Sequence, residues 1–272
     1  MKLEGKVAIV TGGGQGIGQG IVYCLAEEGA DIAVVDINGV GARKVADYVK
    51  GLGRKSLAVE ADLTDGKKVA QAIQKIINTF GKIDILVNNA GGLGKIYLGR
   101  TSTKFIDQSD EEWDEAFALN LKTNVLMSRA VVPYFMKQRS GKIVNISSQA
   151  GRGSDFSLMT YGAAKQSVTS FTRTLAGELA EYDINVNCIC PGMVYTAFPE
   201  GTGAQFIRLN PDKAKGMTPR EWFLKNLVLP RTPLKREQTP KDIGRAVVFL
   251  ASADAKNITG QLLNVDGGIV MG

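Results

Sequence analysis

Short apolar runs alternate along the chain with longer segments in which apolar residues recur every third or fourth position. A continuous apolar run of roughly four to eight residues is typical of a strand buried on both faces, and the longer period is typical of an amphipathic helix. The predicted strands are Lys6–Val10, Asp31–Asp36, Ser56–Glu60, Asp84–Val87, Lys142–Ile146, Ile184–Cys190 and Gln261–Val265. This alternation predicts an α/β chain, with one doubly wound seven-stranded parallel sheet and helices on both faces.

Two stretches depart from the alternation, at about 92–109 and 195–240. They follow the ends of predicted strands, the edge where such sheets bind ligands, so we expect both to border a substrate pocket. The second contains a short amphipathic segment near Pro219 to Leu229. Pro133 predicts a break or kink in a helix after Val132. We treat residues 1–272 as a single catalytic domain with these two loops added.

A glycine-rich turn joins the first strand to the first helix and reads Thr-Gly-Gly-Gly-Gln-Gly-Ile-Gly from Thr11 to Gly18. Glycines let the backbone turn sharply and let a pyrophosphate approach the N–H groups at a helix start. The position between strand and helix favours dinucleotide binding over a merely flexible turn. The residues predicted to contact the cofactor here are Gly12, Gln15, Gly16, Ile17 and Gly18.

Asp36 ends the second predicted strand, 18 residues after Gly18. A carboxylate there can accept both ribose hydroxyls of an adenosine and would repel a 2′-phosphate. Ile37 follows it and Gln15 lies in the turn, both uncharged, so the sequence favours NAD over NADP. Asp36 could instead cap the next helix. Asp62, with Leu63, either lies near an adenine or forms a turn.

Tyr161-Gly-Ala-Ala-Lys165 places a phenol and an ammonium on one helix face. A free tyrosine titrates near ~10, and an adjacent cation lowers that pKa. The pair is therefore a candidate acid/base unit. Taken alone, the pentapeptide favours an amphipathic helix with a lysine whose charged end reaches solvent.

Composition excludes several classes of function. The 272 residues are 44% apolar, with a formal charge of +6 and no basic run that resembles a nucleic-acid arm. The absence of histidine removes Ser/His/Asp and Cys/His catalysis and most transition-metal sites. Three cysteines without framework spacing fit a reduced protein, with Cys188 and Cys190 buried in a strand. We expect a cytoplasmic protein that binds neither nucleic acid nor membrane and holds no metal.

The motifs in their order resemble the short-chain dehydrogenase/reductase family over essentially the whole chain. The resemblance rests on the glycine turn, Asn-Asn-Ala-Gly at 88–91, Ser148 and Tyr161-x-x-x-Lys165. It implies a Rossmann-like fold. The implied catalytic residues are Asn120, Ser148, Tyr161 and Lys165, with Ser147 as the rival serine. Further implied cofactor contacts are Asn89, Ala90, Gly91, Tyr161, Lys165, Pro191, Gly192, Val194 and Thr196.

The expected function is hydride transfer between NAD and a secondary alcohol or ketone such as a polyol, hydroxy acid or ring alcohol. The alternatives are an NADPH-dependent 3-ketoacyl reductase, a non-catalytic NAD-binding regulatory protein, and an epimerase or dehydratase that retains NAD. The resemblance also implies a homotetramer and a small-molecule substrate. Candidate pocket residues are Gln149, Arg152, Phe156, Met159, Tyr195, Phe198 and Trp222.

Overall fold

A computed structural model describes residues 1–99, 102, 104–153, 158–196, 204, 207, 211–214 and 216–271. Within these residues seven parallel strands form one sheet in the order β3-β2-β1-β4-β5-β6-β7. The strands are β1 (Val7–Thr11), β2 (Asp31–Asp36), β3 (Ser56–Glu60), β4 (Ile85–Asn88), β5 (Gly141–Ile146), β6 (Ile184–Pro191) and β7 (Leu262–Val265). The predicted doubly wound sheet is confirmed, and each predicted strand is correct to within one residue at either end.

The helices connect successive strands and cover both faces of the sheet. They are α1 (Gly16–Glu27), α2 (Gly39–Gly51), α3 (Gly66–Phe80), α4 (Lys95–Gly99), α5 (Asp110–Phe117), α6 (Thr123–Gln138), α7 (Met159–Leu179), α8 (Pro211–Ala214), α9 (Pro219–Phe223), α10 (Leu229–Arg231) and α11 (Pro240–Ala251). None of the helices in the described part of the chain is long and apolar enough to cross a membrane.

Two apolar cores lie on opposite faces of the sheet because side chains alternate along each strand. In β1, Ala8 and Val10 belong to the core covered by α1, α2 and α11. Ile9, between them, belongs to the core covered by α3, α6 and α7. Both faces of the strands are therefore buried, which explains their continuous apolar runs.

The sheet reverses its winding direction at β1, which pairs with β2 on one side and β4 on the other. A crevice opens beyond the carboxyl ends of strands at such a switch point, and ligands bind there in open α/β sheets. The glycine turn follows β1, and the Asn-Asn-Ala-Gly segment begins at the end of β4. The topology therefore brings both motifs to one crevice.

The break predicted at Pro133 is wrong, because α6 continues through this proline to Gln138. Val131 and Phe135 on either side are fully buried against the sheet. Pro133 and Arg129 are exposed, so water can satisfy the Arg129 carbonyl that loses its helical partner. Packing of the buried face outweighs the local preference of the proline.

Both predicted loops contain short helical pieces. The 92–109 stretch holds α4 and a single turn at Phe105–Asp107. In the 195–240 stretch, α9 continues through a wide turn at Leu224–Val228 into α10. Trp222 and Phe223 are buried, as the predicted amphipathic segment requires.

Candidate active site

The glycine turn is shaped so that side chains are excluded from its inner surface. A Cβ at Gly18 would lie 2.0 Å from the Gly12 carbonyl oxygen. Gly12 and Gly16 adopt φ values of +59° and +56°, which favour glycine. The N-cap of α1, Gln15, makes no side-chain cap hydrogen bond, so this helix start is open to an anion. These features fit the pyrophosphate of a dinucleotide.

Hydrogen bonds between the ends of β1 and β4 hold this turn in place. The Asn89 side-chain amide donates to the carbonyl oxygens of Thr11 (2.9 Å) and Gly12 (3.1 Å). The Thr11 hydroxyl accepts from the backbone N–H groups of Asn89 and Ala90, both at 2.9 Å. The Asn89 side chain, for which the sequence analysis predicts a cofactor contact, therefore also shapes the turn. The sequence analysis did not predict the role of Thr11.

The Asp36 carboxylate lies at the carboxyl end of β2 and is 6% exposed. One oxygen accepts from the N–H of Gly14 (2.9 Å), and the other accepts from the N–H of Asn38 (2.8 Å). Asn38 is the N-cap of α2, and its side chain accepts from the N–H of Gly41. The interpretation of Asp36 as the helix cap is therefore wrong. Asp36 joins the glycine turn to the strand end, and Ile37 beside it is 71% exposed.

The Asp62 carboxylate makes the contacts that its predicted role in a turn requires, and its place near an adenine remains a prediction. One Asp62 carboxylate oxygen accepts from the backbone N–H (3.0 Å) and the hydroxyl (2.7 Å) of Thr64. These bonds hold the pKa of Asp62 below its usual value. Asp62 thus forms the turn that the sequence allowed. Leu63 is buried in the core.

The segment after β6 returns to the glycine turn. Pro191 closes the strand opposite Val265, and a Cβ at Gly192 would lie 2.7 Å from the Asp266 Cα. Val194 is buried and bridges to Gln238.

Thr196 lies close to the glycine turn although the two are far apart along the chain. The Thr196 methyl carbon would be 3.4 Å from a Cβ at Gly16. Thr196 is therefore placed beside the expected pyrophosphate position. The resemblance implies a cofactor contact for Thr196, and this contact remains a prediction.

The two adjacent serines at the end of β5 have different environments. Ser147 is buried and its hydroxyl donates to the Lys165 carbonyl oxygen at 2.7 Å. Ser148 is half-buried, accepts from the N–H of Ala150, and lies near enough to Tyr161 to favour its phenolate form. Ser148 is therefore the serine that faces the tyrosine, and Ser147 fixes the helix behind it.

Tyr161 and Lys165 occupy one face of α7, as the spacing predicts. The Lys165 ammonium lies 5.7 Å from the centre of the tyrosine ring and donates to the Ile146 carbonyl oxygen at 3.0 Å. Burial raises the pKa of Tyr161 to about 12, and the neighbouring Ser148 hydroxyl partly opposes this. Burial also lowers the pKa of Lys165 to about 8.

The expectation that Lys165 lowers the tyrosine pKa is therefore not met. Desolvation of the phenolate dominates, and the lysine ammonium donates to a backbone carbonyl.

Asn120 is fully buried and holds the loop after β4. Its side-chain amide donates to the carbonyl oxygens of Gly92 (2.8 Å) and Ala116 (2.9 Å), and its oxygen accepts from the Gly92 N–H (3.0 Å). A Cβ at Gly91 would lie 2.6 Å from that oxygen and 3.2 Å from the Lys165 ammonium. The structure thus brings Asn120, Gly91 and Lys165 together.

Asn120 lies in a π-helical turn, Ala118–Lys122, between α5 and α6. Such wide turns occur frequently at functional sites. The Asn120 carbonyl oxygen accepts from the Asn124 side chain at 2.9 Å. This local widening was absent from the sequence interpretation.

The sequence analysis also missed a series of buried side-chain hydrogen bonds behind the site. The Asn88 side chain donates to the Ser128 hydroxyl (3.0 Å) and to the Asn145 side-chain oxygen (2.9 Å). Asn145 in turn donates to the Thr172 hydroxyl. The sequence did contain a sign of this network, since asparagines interrupt otherwise apolar strands at 88 and 145. These hydrogen bonds connect β4, β5, α6 and α7 beneath the catalytic residues.

The substrate side of the site is described in part. Met159 and Tyr195 are half-buried, and the Tyr195 ring lies 5.4 Å from that of Phe223. Trp222 is buried in the same apolar cluster. The predicted pocket residues Phe156 and Phe198 lie outside the described residues.

Comparison with known proteins defines the class. A model of the family described as short chain dehydrogenase matches residues 6–205. A 3-oxoacyl-[acyl-carrier-protein] reductase of Thermotoga maritima is 34% identical, with 100% of both chains covered. A 2-dehydro-3-deoxy-D-gluconate 5-dehydrogenase of Dickeya dadantii is 36% identical over 98% of this chain and 96% of that protein. The chain belongs to the short-chain dehydrogenase/reductase family.

Two further relatives are dehydrogenases. A 2,3-dihydro-2,3-dihydroxybenzoate dehydrogenase of Bacillus subtilis is 37% identical over 99% of this chain and 98% of that protein. A solved structure of 7 alpha-hydroxysteroid dehydrogenase, complexed with NADH and 7-oxo glycochenodeoxycholic acid, superposes with a TM-score of 0.83. It is 32% identical and covers 98% of this chain and 95% of that one. The protein is therefore an oxidoreductase of this family, acting on CH–OH groups with a nicotinamide cofactor.

Proposed function

We propose that this protein is an NAD-dependent dehydrogenase of secondary alcohols. The observation that carries the cofactor choice is the buried Asp36 carboxylate, fixed at the end of β2 by two backbone N–H groups. A carboxylate held there accepts ribose hydroxyls and repels a 2′-phosphate. The exposed, uncharged Ile37 and Gln15 beside it support the same choice.

The chain's own residues supply binding and proton transfer. Open N–H groups at the start of α1 hold the pyrophosphate, and Lys165 binds the nicotinamide ribose. The nicotinamide, when bound, supplies the hydride acceptor or donor. In the oxidation direction Tyr161, as phenolate, removes the proton from the substrate hydroxyl. Ser148 donates to the substrate oxygen, where charge develops in the transition state.

The pKa values constrain when this proton transfer is possible. Since burial raises the pKa of Tyr161 to about 12, the phenol is protonated at neutral pH. A cationic nicotinamide bound nearby would lower this pKa, because a nearby positive charge favours the phenolate. Tyr161 would then act as the base. A water held near Asn120 relays protons to Lys165 in this proposal.

We propose a polyol, a hydroxy acid or a ring alcohol as the substrate. The named relatives support this range, since they act on a sugar acid, a dihydroxylated ring acid and a steroid acid. Each of these molecules carries a secondary alcohol or the matching ketone. In this proposal the two loops at about 92–109 and 195–240 border the substrate pocket and determine which of these alcohols it accepts.

Reduction of 3-ketoacyl chains with NADPH is the second candidate, favoured by the 34% identity to 3-oxoacyl-[acyl-carrier-protein] reductases. Asp36 counts against it. A regulatory protein that binds NAD without turnover is disfavoured by the complete set of Ser148, Tyr161 and Lys165. An epimerase or dehydratase would retain bound NAD through purification.

The test is absorbance of reduced nicotinamide with NAD⁺ and NADP⁺ in parallel, against secondary alcohols, polyols, hydroxy acids and ring alcohols. We expect turnover with NAD⁺ and at least tenfold lower kcat/KM with NADP⁺. A preference for NADPH and a 3-ketoacyl thioester would establish the second candidate instead. NAD released on denaturing the purified protein would indicate the epimerase or dehydratase class. We also propose a homotetramer, which light scattering measures directly.

A further inference from the structure

Tyr161 lies on the first turn of α7, a helix start that lacks its usual side-chain cap. The helix begins at Met159, and the N-cap residue Leu158 makes no side-chain cap hydrogen bond. The first N–H groups of a helix have no partners within the helix, so an uncapped first turn frays more readily. Tyr161 is its third residue. The proposed base therefore lies on a first turn that has no side-chain N-cap bond.

A buried carboxylate from α5 contacts this turn. Glu112 is 4% exposed, and one of its carboxylate oxygens accepts from the Thr160 hydroxyl at 3.0 Å. Thr160 precedes Tyr161 and is itself 1% exposed. A negative charge at a helix start is also favourable toward the helix dipole. The backbone of Glu112 is held in place, because its N–H donates to the side chain of Ser109, the N-cap residue of α5.

The other acidic residues of α5 make different contacts from those of Glu112. Glu111, one residue earlier, is exposed to solvent. Glu115, one helical turn later, accepts from the N–H groups of Lys95 (3.0 Å) and Ile96 (2.9 Å) and so holds the start of α4. The inner face of α5 therefore supports the loop after β4 with one carboxylate and the start of α7 with the other.

We propose that Glu112 is a positioning residue for the reaction, acting on Tyr161 through the Thr160 hydroxyl. This inference rests on the proposed function, since it assigns Tyr161 as the base. Glu112 contacts the residue that precedes the proposed base. Its bond to Thr160 keeps the first turn of α7 helical and so keeps the phenol within reach of Ser148.

The kinetic test compares Glu112→Ala, Glu112→Gln and the surface control Glu111→Ala. In Glu112→Ala we expect kcat to fall about tenfold or more with KM changed less than about twofold, because a misplaced base slows proton transfer. The solvent deuterium isotope effect on kcat should increase. Glu112→Gln keeps an oxygen that accepts from Thr160 and should restore most of the rate. Glu111→Ala should match the wild type.

A purely structural role predicts a different pattern. Partial unfolding of Glu112→Ala would lower kcat in proportion to the folded fraction and leave the isotope effect unchanged. That result, or a wild-type rate in Glu112→Ala, would overturn the proposal. If Glu112→Ala does not fold, Thr160→Val removes the same hydrogen bond from the other side and is judged by the same isotope effect.

A second measurement needs no turnover and separates this proposal from the proposed function. Hydrogen exchange of the amides at 163–165 reports the first intrahelical bonds of α7. In Glu112→Ala we expect exchange there to accelerate about tenfold, as loss of one hydrogen bond implies, with Glu111→Ala unchanged. Unchanged exchange in Glu112→Ala would refute the inference. Absence of turnover in the wild-type protein would count against the proposed function, and the exchange result would still decide the role of Glu112 at this helix start.

Discussion

Replacing Asp36 with asparagine should change the choice between the two dinucleotides. The carboxylate is 6% exposed and both of its oxygens are bound by backbone N–H groups, so its position is fixed. Asparagine keeps the shape and removes the charge. The repulsion of a 2′-phosphate is thereby removed, and the charge-assisted bond to a ribose hydroxyl is weakened.

The magnitude follows from Coulomb's law. Two unit charges about 5 Å apart, in an effective dielectric of about 20, repel by about 3 kcal/mol. This corresponds to roughly a hundredfold in relative affinity. We therefore expect the ratio of kcat/KM for NADP⁺ to that for NAD⁺ to rise about a hundredfold in Asp36→Asn. Both dinucleotides are assayed on one variant, so a loss of stability cancels from this ratio.

Asp31→Asn is the matched control. Asp31 is the first residue of the same strand, at the end opposite to the glycine turn. Its carboxylate accepts from the Lys55 N–H at 2.8 Å. It also loses a charge on substitution, and its NADP⁺ to NAD⁺ ratio should not change. An unchanged ratio in Asp36→Asn would refute the assignment of Asp36 as the determinant of cofactor choice.

Two further variants test the turn and the lysine. Gly18→Ala should abolish NAD binding by calorimetry, because its Cβ would lie 2.0 Å from the Gly12 carbonyl oxygen, whereas Gly51→Ala, with no atom within 4 Å, should bind normally. Burial lowers the pKa of Lys165 from 10.5 to about 8, so between these values the unfolded chain binds the extra proton and stability rises with pH. The rise is worth about 3 kcal/mol in full and about 2 kcal/mol between pH 7 and 9.5, and Lys165→Met should lose it when urea unfolding is compared at these two pH values. An equal rise in the variant would exclude Lys165 as its source.

The sheet could be predicted because its cause is local. Strands buried on both faces leave continuous apolar runs, and parallel connections need intervening helices. The site followed from the sheet, since Gly18, Asp36, Ser148 and Tyr161 come at or after strand ends that share one edge. The spacing between Tyr161 and Lys165 is likewise a local property of a helix.

The remaining features depend on tertiary contacts. Pro133 stays within a helix because packing around Phe135 outweighs its preference, and no local pattern shows this. The π-helical turn at Asn120 shifts a hydrogen-bond register without a change in apolar spacing. The raised pKa of Tyr161 depends on how much protein surrounds the phenol, which a sequence does not reveal. Glu112 resembles its exposed neighbour Glu111 in sequence and differs only in what it contacts.

The central claim is that Tyr161 is the base of an NAD-dependent alcohol oxidation. The most direct test is NADH formation by wild type, Tyr161→Phe and Tyr182→Phe, with NAD⁺ binding measured by calorimetry on each. Tyr182 lies just beyond the other end of α7, about 30 Å along the helix from Tyr161, and serves as the control. We expect Tyr161→Phe to bind NAD⁺ within about threefold of wild type and to lose at least a thousandfold in kcat, with Tyr182→Phe unaffected. Undiminished NADH formation by Tyr161→Phe would contradict the account.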